Sequence, residues 1–191
     1  MRKLMAAAAA ACTAALTPAH ADGGHYTLDP THTFVTFEVA HFGTSTHRVR
    51  FDRKEGLVQF DRVARTGRVE ITIDMASVNS GVAPFDGHLR SQDLLNVAEH
   101  PTARFVGSRF TFAGDQVTEV AGTLTMLGQT RPVTLKATRF NCYLNPVFKR
   151  EVCGGDFETV VQRSLWGVNH GLPAMAPDSV RLLVQVEAIK Q

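Results

Sequence analysis

Residues His32–His41, HTFVTFEVAH, decide the fold. Val35, Phe37 and Val39 fall on one face, and Phe34, Thr36 and Glu38 on the other. The period is two rather than 3.6, the mark of a half-buried β-strand, because successive side chains of an extended chain point to opposite sides of a sheet. Outward from this run the same alternation returns. GLVQFD puts Val58 and Phe60 on a shared face, and RVEITIDM does so with Val69, Ile71 and Ile73. ARFVGSRFTF, VTEVAGTLTML, RPVTLKATRF, GDFETVVQRS and SVRLLVQVEAI complete eight predicted strands.

The connections agree with an antiparallel arrangement. Ala113-Gly114-Asp115 and Leu127-Gly128-Gln129-Thr130 are short, glycine-containing links of the kind that join neighbouring strands. Pro132 stands at the opening of a strand, where a missing N–H is tolerated. No long amphipathic helices alternate with the strands, so a parallel α/β sheet is excluded and the class is all-β, a barrel or a sandwich.

The N-terminal residues 1–21 read as a secretory signal: Arg2 and Lys3, an alanine-rich apolar core, then Ala19-His20-Ala21 as a small-x-small cleavage site. Cys12 is the other candidate processing site, as a lipidated cysteine, but alanines precede it where such a site favours leucine. The expected product is residues 22–191, a single exported domain in which no stretch approaches the roughly 20 apolar residues of a membrane-spanning helix. The whole chain has 20 basic and 18 acidic side chains, and removing Arg2 and Lys3 leaves 18 of each. That balance gives no electrostatic case for nucleic acid or an anionic membrane. Cys142 and Cys153 remain as an even pair, read in an exported protein as a disulfide around CYLNPVFKREVC.

One segment departs from strand patterning. FDGHLRSQDLLNVAEHPTARF (Phe85–Phe105) crowds histidines, arginines and carboxylates between two strands. Asp86 or Ser91 suits a helix cap, Phe85 and Leu89 share a side, and Gly87 and Pro101 keep any helix short. Asp86, His88 and Ser91 invite a nucleophile–base reading, but proximity in sequence supplies no oxyanion site and G-x-S-x-G is absent. His32 and His41 bracket the first strand roughly 30 Å apart on opposite faces, too far to share a metal. His41 and His47 could meet across HFGTSTH, yet two histidines do not complete a zinc site, so no metal is expected.

LDPTHTFVTFEVAHFG, GHLRSQDLLNVAEHPTARF, GTLTMLGQTRPVTL and RSLWG, in that order, resemble the YceI family of exported polyisoprenoid-binding proteins over nearly all of residues 22–191. The region from Cys142 to CGGDF resembles a cysteine-bearing branch of that family. The resemblance implies an eight-stranded, lipocalin-like antiparallel barrel with a short helical insertion. It also implies a function: a non-enzymatic periplasmic carrier, in a Gram-negative bacterium, for a long-chain isoprenoid such as a quinone or polyprenol. No cofactor is expected beyond that ligand, and a homodimer is left open.

On that expectation Val35, Phe37, Val39, Phe60, Ile71, Ile73, Phe105, Leu124, Met126, Leu135, Phe157, Leu182 and Val184 face the interior as core or ligand contacts. His88, Arg90, Ser91 and Asp93 form a polar rim, either touching a head group or, through an Arg90–Asp93 pair, fixing the loop. Trp166 in RSLWG either plugs the barrel, the favoured reading, or touches a ligand. Family members commonly carry an Asn-rich lead into this cluster, whereas SGVAPFDGHLRS places Ala83, Pro84 and Phe85 there, a more apolar lip. Two other readings compete: an enzyme acting on such a lipid through His88, Asp86 or Asp93, and a stress-related interaction protein with a filled barrel.

Overall fold

The computed structural model describes residues 23–191. The predicted signal, residues 1–21, lies outside the described residues. Eleven strand segments run as β1 Gly24–Leu28, β2 Phe34–His41, β3 Ser45–Phe51, β4 Lys54–Asp61, β5 Thr66–Asp74, β6 Val78–Asn79, β7 Thr102–Ala113, β8 Gln116–Met126, β9 Gln129–Leu144, β10 Glu151–Gln162 and β11 Ser179–Lys190. One α-helix, α1 Ala83–Arg90, separates β6 from β7.

These eleven segments make a closed barrel of eight antiparallel strands, because three of the eight are broken. β11 pairs with β2 through Arg181–Gln185 and with β1 through Ala188–Lys190, so β1 and β2 are the two halves of one strand. Likewise β3 pairs with β2 and β4 with β1, making β3 and β4 a second broken strand. β5 pairs with β4, and after a 3₁₀ turn at Met75–Ser77 its continuation β6 pairs with β3. The remaining pairs, from β5–β7 to β10–β11, follow in sequence order.

Each of the eight predicted runs lies on one barrel strand, but the predicted first strand is corrected in its bounds. His32 is not part of it: the strand begins at Phe34, and Asp29–Thr33 form the joint with β1. The joint is built from hydrogen bonds. Asp29 is buried, and its carboxylate accepts from Thr31 N at 2.8 Å, Thr31 Oγ1 at 2.6 Å and His32 Nδ1 at 2.8 Å. Asp29 N donates to Glu187 O at 2.9 Å, and Thr33 Oγ1 donates to the same carbonyl at 3.2 Å, so β11 stays bonded across the break.

Turns fix the register elsewhere. Leu127 (φ 47°) and Gly128 (φ 72°) join β8 to β9 with both central residues in the left-handed region, which matches the twist of a two-residue hairpin and favours glycine. Within β10 a Cβ on Gly154 would stand 2.0 Å from Val186 O, so only glycine lets β11 approach there.

Cys142 and Cys153 are bonded as expected. They are direct cross-strand partners of β9 and β10, and Tyr143 and Leu144 continue the ladder beyond them. The bond therefore pins a regular hairpin rather than closing a loose loop. Its restriction of the unfolded chain is worth about 3 kcal/mol in the chain-entropy account.

The carboxyl of Asp29 makes the joint pH-sensitive. Burial opposes its ionisation, but the hydrogen bonds from His32 and Thr31 outweigh that and hold it down at about 2. A carboxylate with a lowered folded value contributes stability that is complete above its unfolded value, about 3.9, and is lost as pH falls through the folded one. Equilibrium urea unfolding should therefore show Asp29→Asn less stable by about 2 kcal/mol at pH 6, with the difference from the parent shrinking between pH 4 and 2.

Candidate functional site

The alternation of each strand sends apolar side chains inward, but the two ends of the barrel are filled differently. The end holding the β4–β5, β7–β8 and β9–β10 turns is packed with aromatic rings. Phe60 lies 6.0 Å from Phe110, 6.1 Å from Phe112 and 5.6 Å from Phe140, centroid to centroid. Only about 60 Å³ of void remains among them. Tyr26 reaches out of this core to Glu151 Oε1 at 2.6 Å, and burial followed by that bond raises the phenol above its ordinary range. This end is closed.

The other half contains a cavity of about 400 Å³ lined mainly by apolar side chains, with His41, His47, His88, Arg163 and His170 among them. Of the thirteen interior residues predicted from sequence, Val35, Phe37, Val39, Ile73, Leu124, Met126 and Leu182 line this cavity. Phe60, Ile71, Phe105, Leu135, Phe157 and Val184 line the small void at the closed end instead. Aliphatic side chains, Ala103 and Leu95 among them, leave the space that the aromatic rings occupy below. Trp166 is buried in the core and stands outside both linings, with its Nε1 donating to Leu124 O at 3.2 Å, so it packs against the wall rather than plugging the bore.

The cavity opens between α1, the β2–β3 turn and the segment Arg163–Asp178. Its solvent-exposed lining residues are His88, His170 and Met175. Helix α1 starts at Ala83 with Pro84 in its first turn, where a missing N–H costs nothing. Its N-cap is Val82, without a side-chain bond, so neither expected residue caps that end; Ser91 is instead the C-cap, its N–H donating to His88 O. Asp86 turns back to accept from Ser80 N at 2.7 Å and Ser80 Oγ at 2.6 Å, tying the helix to the chain that leads into it. Those bonds hold its carboxyl below the usual range. Phe85 and Leu89 both face the cavity, the apolar lip that the sequence suggests.

Of the predicted rim only His88 lines the cavity. Arg90 points at the carbonyls of Ala76 and Val78, at 3.5 and 3.4 Å, and makes no ion pair with Asp93, which is exposed. Among the described residues Ser91 Oγ is the one buried side-chain polar atom without a hydrogen-bond partner. Asp86, His88 and Ser91 are thus not linked into a relay, and no nucleophile–base bond is formed among them.

Sequence reading missed two features. Arg163 is buried at the cavity wall, where its guanidinium donates to Pro177 O (3.1 Å), Val168 O (3.2 Å), His170 O (2.9 Å) and Ala176 O (3.4 Å). One cation thus gathers the whole segment from 163 to 178, and Asp178 locks the other side by accepting from Ser164 N and Oγ. Burial draws the guanidinium somewhat below its ordinary value, with Asp178 opposing. The second feature is His170, which completes a set of four histidines at the opening. His41 and His47 meet as their spacing allows, with ring centroids 4.6 Å apart, and His88 lies 5.3 Å from His170 across the mouth. GVNHG, which carries His170, has no strand period and gave no signal. Among the described residues no group of three or more histidine, cysteine or carboxylate side chains is placed to hold a metal.

Arg163→Met removes four charge-assisted hydrogen bonds and leaves buried carbonyls unsatisfied, a loss of roughly 3 kcal/mol. Denaturant unfolding should register that loss, and amide exchange should rise across 164–178 while β8 and β9 stay protected.

The YceI-like domain family matches residues 26–188. A UPF0312 protein of Pseudomonas aeruginosa is 33% identical and one of Pseudomonas putida 31%, each aligned over 194 positions that cover 100% of both chains. Among solved structures, Burkholderia cenocepacia BcnA superposes with a TM-score of 0.70 at 22% identity, covering 84% of this chain and 98% of its own. A polyisoprenoid binding domain from Saccharophagus degradans, implicated in plant cell wall breakdown, superposes with a TM-score of 0.65 at 18% identity, covering 87% and 98%. These two share the fold.

Proposed function

The chain belongs to the YceI-like family, and from that premise we propose that it is a periplasmic carrier that holds the tail of a long-chain isoprenoid lipid, of quinone or polyprenol type, in the upper half of its barrel. The observation that carries this reading is the apolar cavity of about 400 Å³, open at one end and shut by aromatic rings at the other. Its size falls within the range of small-molecule sites. Transfer of each methylene from water contributes about 0.8 kcal/mol, so about three isoprene units supply on the order of 12 kcal/mol before the costs of ordering the tail. Few polar contacts are needed.

Under this reading the tail lies against Val35, Phe37, Val39, Ile73, Leu124, Met126 and Leu182, and the head group rests at the opening beside His88 and His170. Imidazoles both donate and accept, which suits a quinone carbonyl or an alcohol. Arg90 and the Ser91 backbone hold the lip rather than the ligand, and Asp93 stands exposed outside it. The Cys142–Cys153 bond fits an oxidising compartment, in keeping with export.

Organic extraction and mass spectrometry of the protein taken from its own compartment should release a long-chain lipid. A filled cavity is the control: Leu182→Trp should weaken binding of geranylgeraniol by at least about tenfold, because the added ring takes the tail's volume. Leu135→Met, at the closed end, should leave it unchanged. Repeated preparations without lipid, or a Leu182→Trp protein that binds as well as its parent, would defeat the proposal.

A further inference from the structure

The closed end carries the most exposed apolar side chains among the described residues, and the cavity gives them no role. Two of its three turns are built alike. In each, an Asx side chain opens the turn by accepting two backbone N–H groups: Asp61 Oδ1 from Val63 and Ala64 at 2.9 and 2.8 Å, Asn145 Oδ1 from Val147 and Phe148 at 2.9 and 3.1 Å. In each, a basic residue in the left-handed region closes it, Arg65 at φ 54° and Lys149 at φ 55°. Each turn thereby holds a valine at its tip, Val63 at 85% and Val147 at 79% exposure, with Leu144 at 69% and Phe148 at 49% beside the second. Glu151 bridges the two turns, 3.6 Å from Arg62 Nη1 and 3.9 Å from Lys190 Nζ.

The charge around these tips leans basic. Arg62, Arg65, Lys149, Arg150 and Lys190 stand against Asp61, Glu151, Asp115 and the Gln191 carboxylate, and among the basic groups Glu151 engages only Arg62 and Lys190. Arg65, Lys149 and Arg150 make no ion pair among the described residues. Neutrality summed over residues 22–191 conceals this local excess.

We propose that the closed end docks on a bilayer containing anionic phospholipid, with Val63, Val147 and Phe148 set among the acyl chains and the arginines and lysines meeting phosphate groups. Two rigid, pointed turns differ from the broad, contiguous surface of about 800 Å² per partner that a stable protein contact buries. They do suit insertion into the interfacial region, where apolar tips enter and cations stay at the head groups. Each basic group near an anionic surface adds about fivefold in affinity. The inference is independent of the lipid cavity, and it directs the mouth away from the docked bilayer.

The test uses the chain from residue 22 onward, which contains the whole barrel, and cosedimentation with vesicles. Vesicles of phosphatidylglycerol and phosphatidylethanolamine should bind it, less so as salt rises, and vesicles of phosphatidylcholine alone should not. Val147→Ser with Phe148→Ser, and separately Lys149→Glu with Arg150→Glu, should each weaken binding by about tenfold or more while thermal unfolding and the disulfide are kept. Val147→Trp should show a blue shift on binding that the buried Trp166 of the parent does not. Absence of vesicle binding, binding that both pairs of substitutions leave intact, or association with a protein partner only, would overturn the proposal.

Discussion

Closure of the barrel rests on one strand serving two half-strands. β11 bonds β2 along its first half and β1 along its last residues, and the backbone of Glu187 spans the gap by accepting from Asp29 N and Thr33 Oγ1. Without that splice the sheet would have a free edge, and unpaired edge groups next to an apolar interior are costly. The break also has geometric value. Splitting β1 from β2, and β3 from β4, interrupts both strands between the half lined by the aromatic cluster and the half that holds the cavity.

The division of the interior follows from side-chain volume. All strands alternate inward and outward in the same way, yet Phe60, Phe110, Phe112 and Phe140 pack against one another at one end, while at the other Phe37, Phe51 and Phe85 are interspersed with valine, leucine, methionine and alanine. Rings fill an eight-stranded bore, which is only just wide enough for packed side chains, and smaller groups leave a volume empty. At the open end α1 and the Arg163–Asp178 segment replace strand with irregular chain, and that chain needs its own polar scaffold. Arg163, Asp178 and the Asp86–Ser80 bonds provide it.

Much of this was legible in the sequence. Every predicted run falls on its own barrel strand, and the cysteine pair and the helical insertion are where composition placed them. The short β1 was missed because GHYTL is five residues beside a glycine pair, and β3 because Arg48 and Arg50 obscure the inward Val49 and Phe51. The bounds of the first strand failed for a related reason: His32 continues the pattern in sequence but is drawn to Asp29 in space. Alternation also could not tell cavity from packed core, since Leu124 and Leu135 read identically and only the neighbours across the barrel distinguish them. Arg163 escaped notice because its partners are backbone carbonyls, which leave no trace in residue identities.

A bore that is stoppered with aromatic rings at one end has only one way in and out. On the carrier reading a long-chain ligand goes in tail first and leaves in reverse, so the last atoms admitted are the first released. Nothing bulky then has to pass along the barrel, and the groups at the other end of the molecule stay at the lip. On the carrier reading, the piece of chain that one buried guanidinium keeps in place borders that single exit.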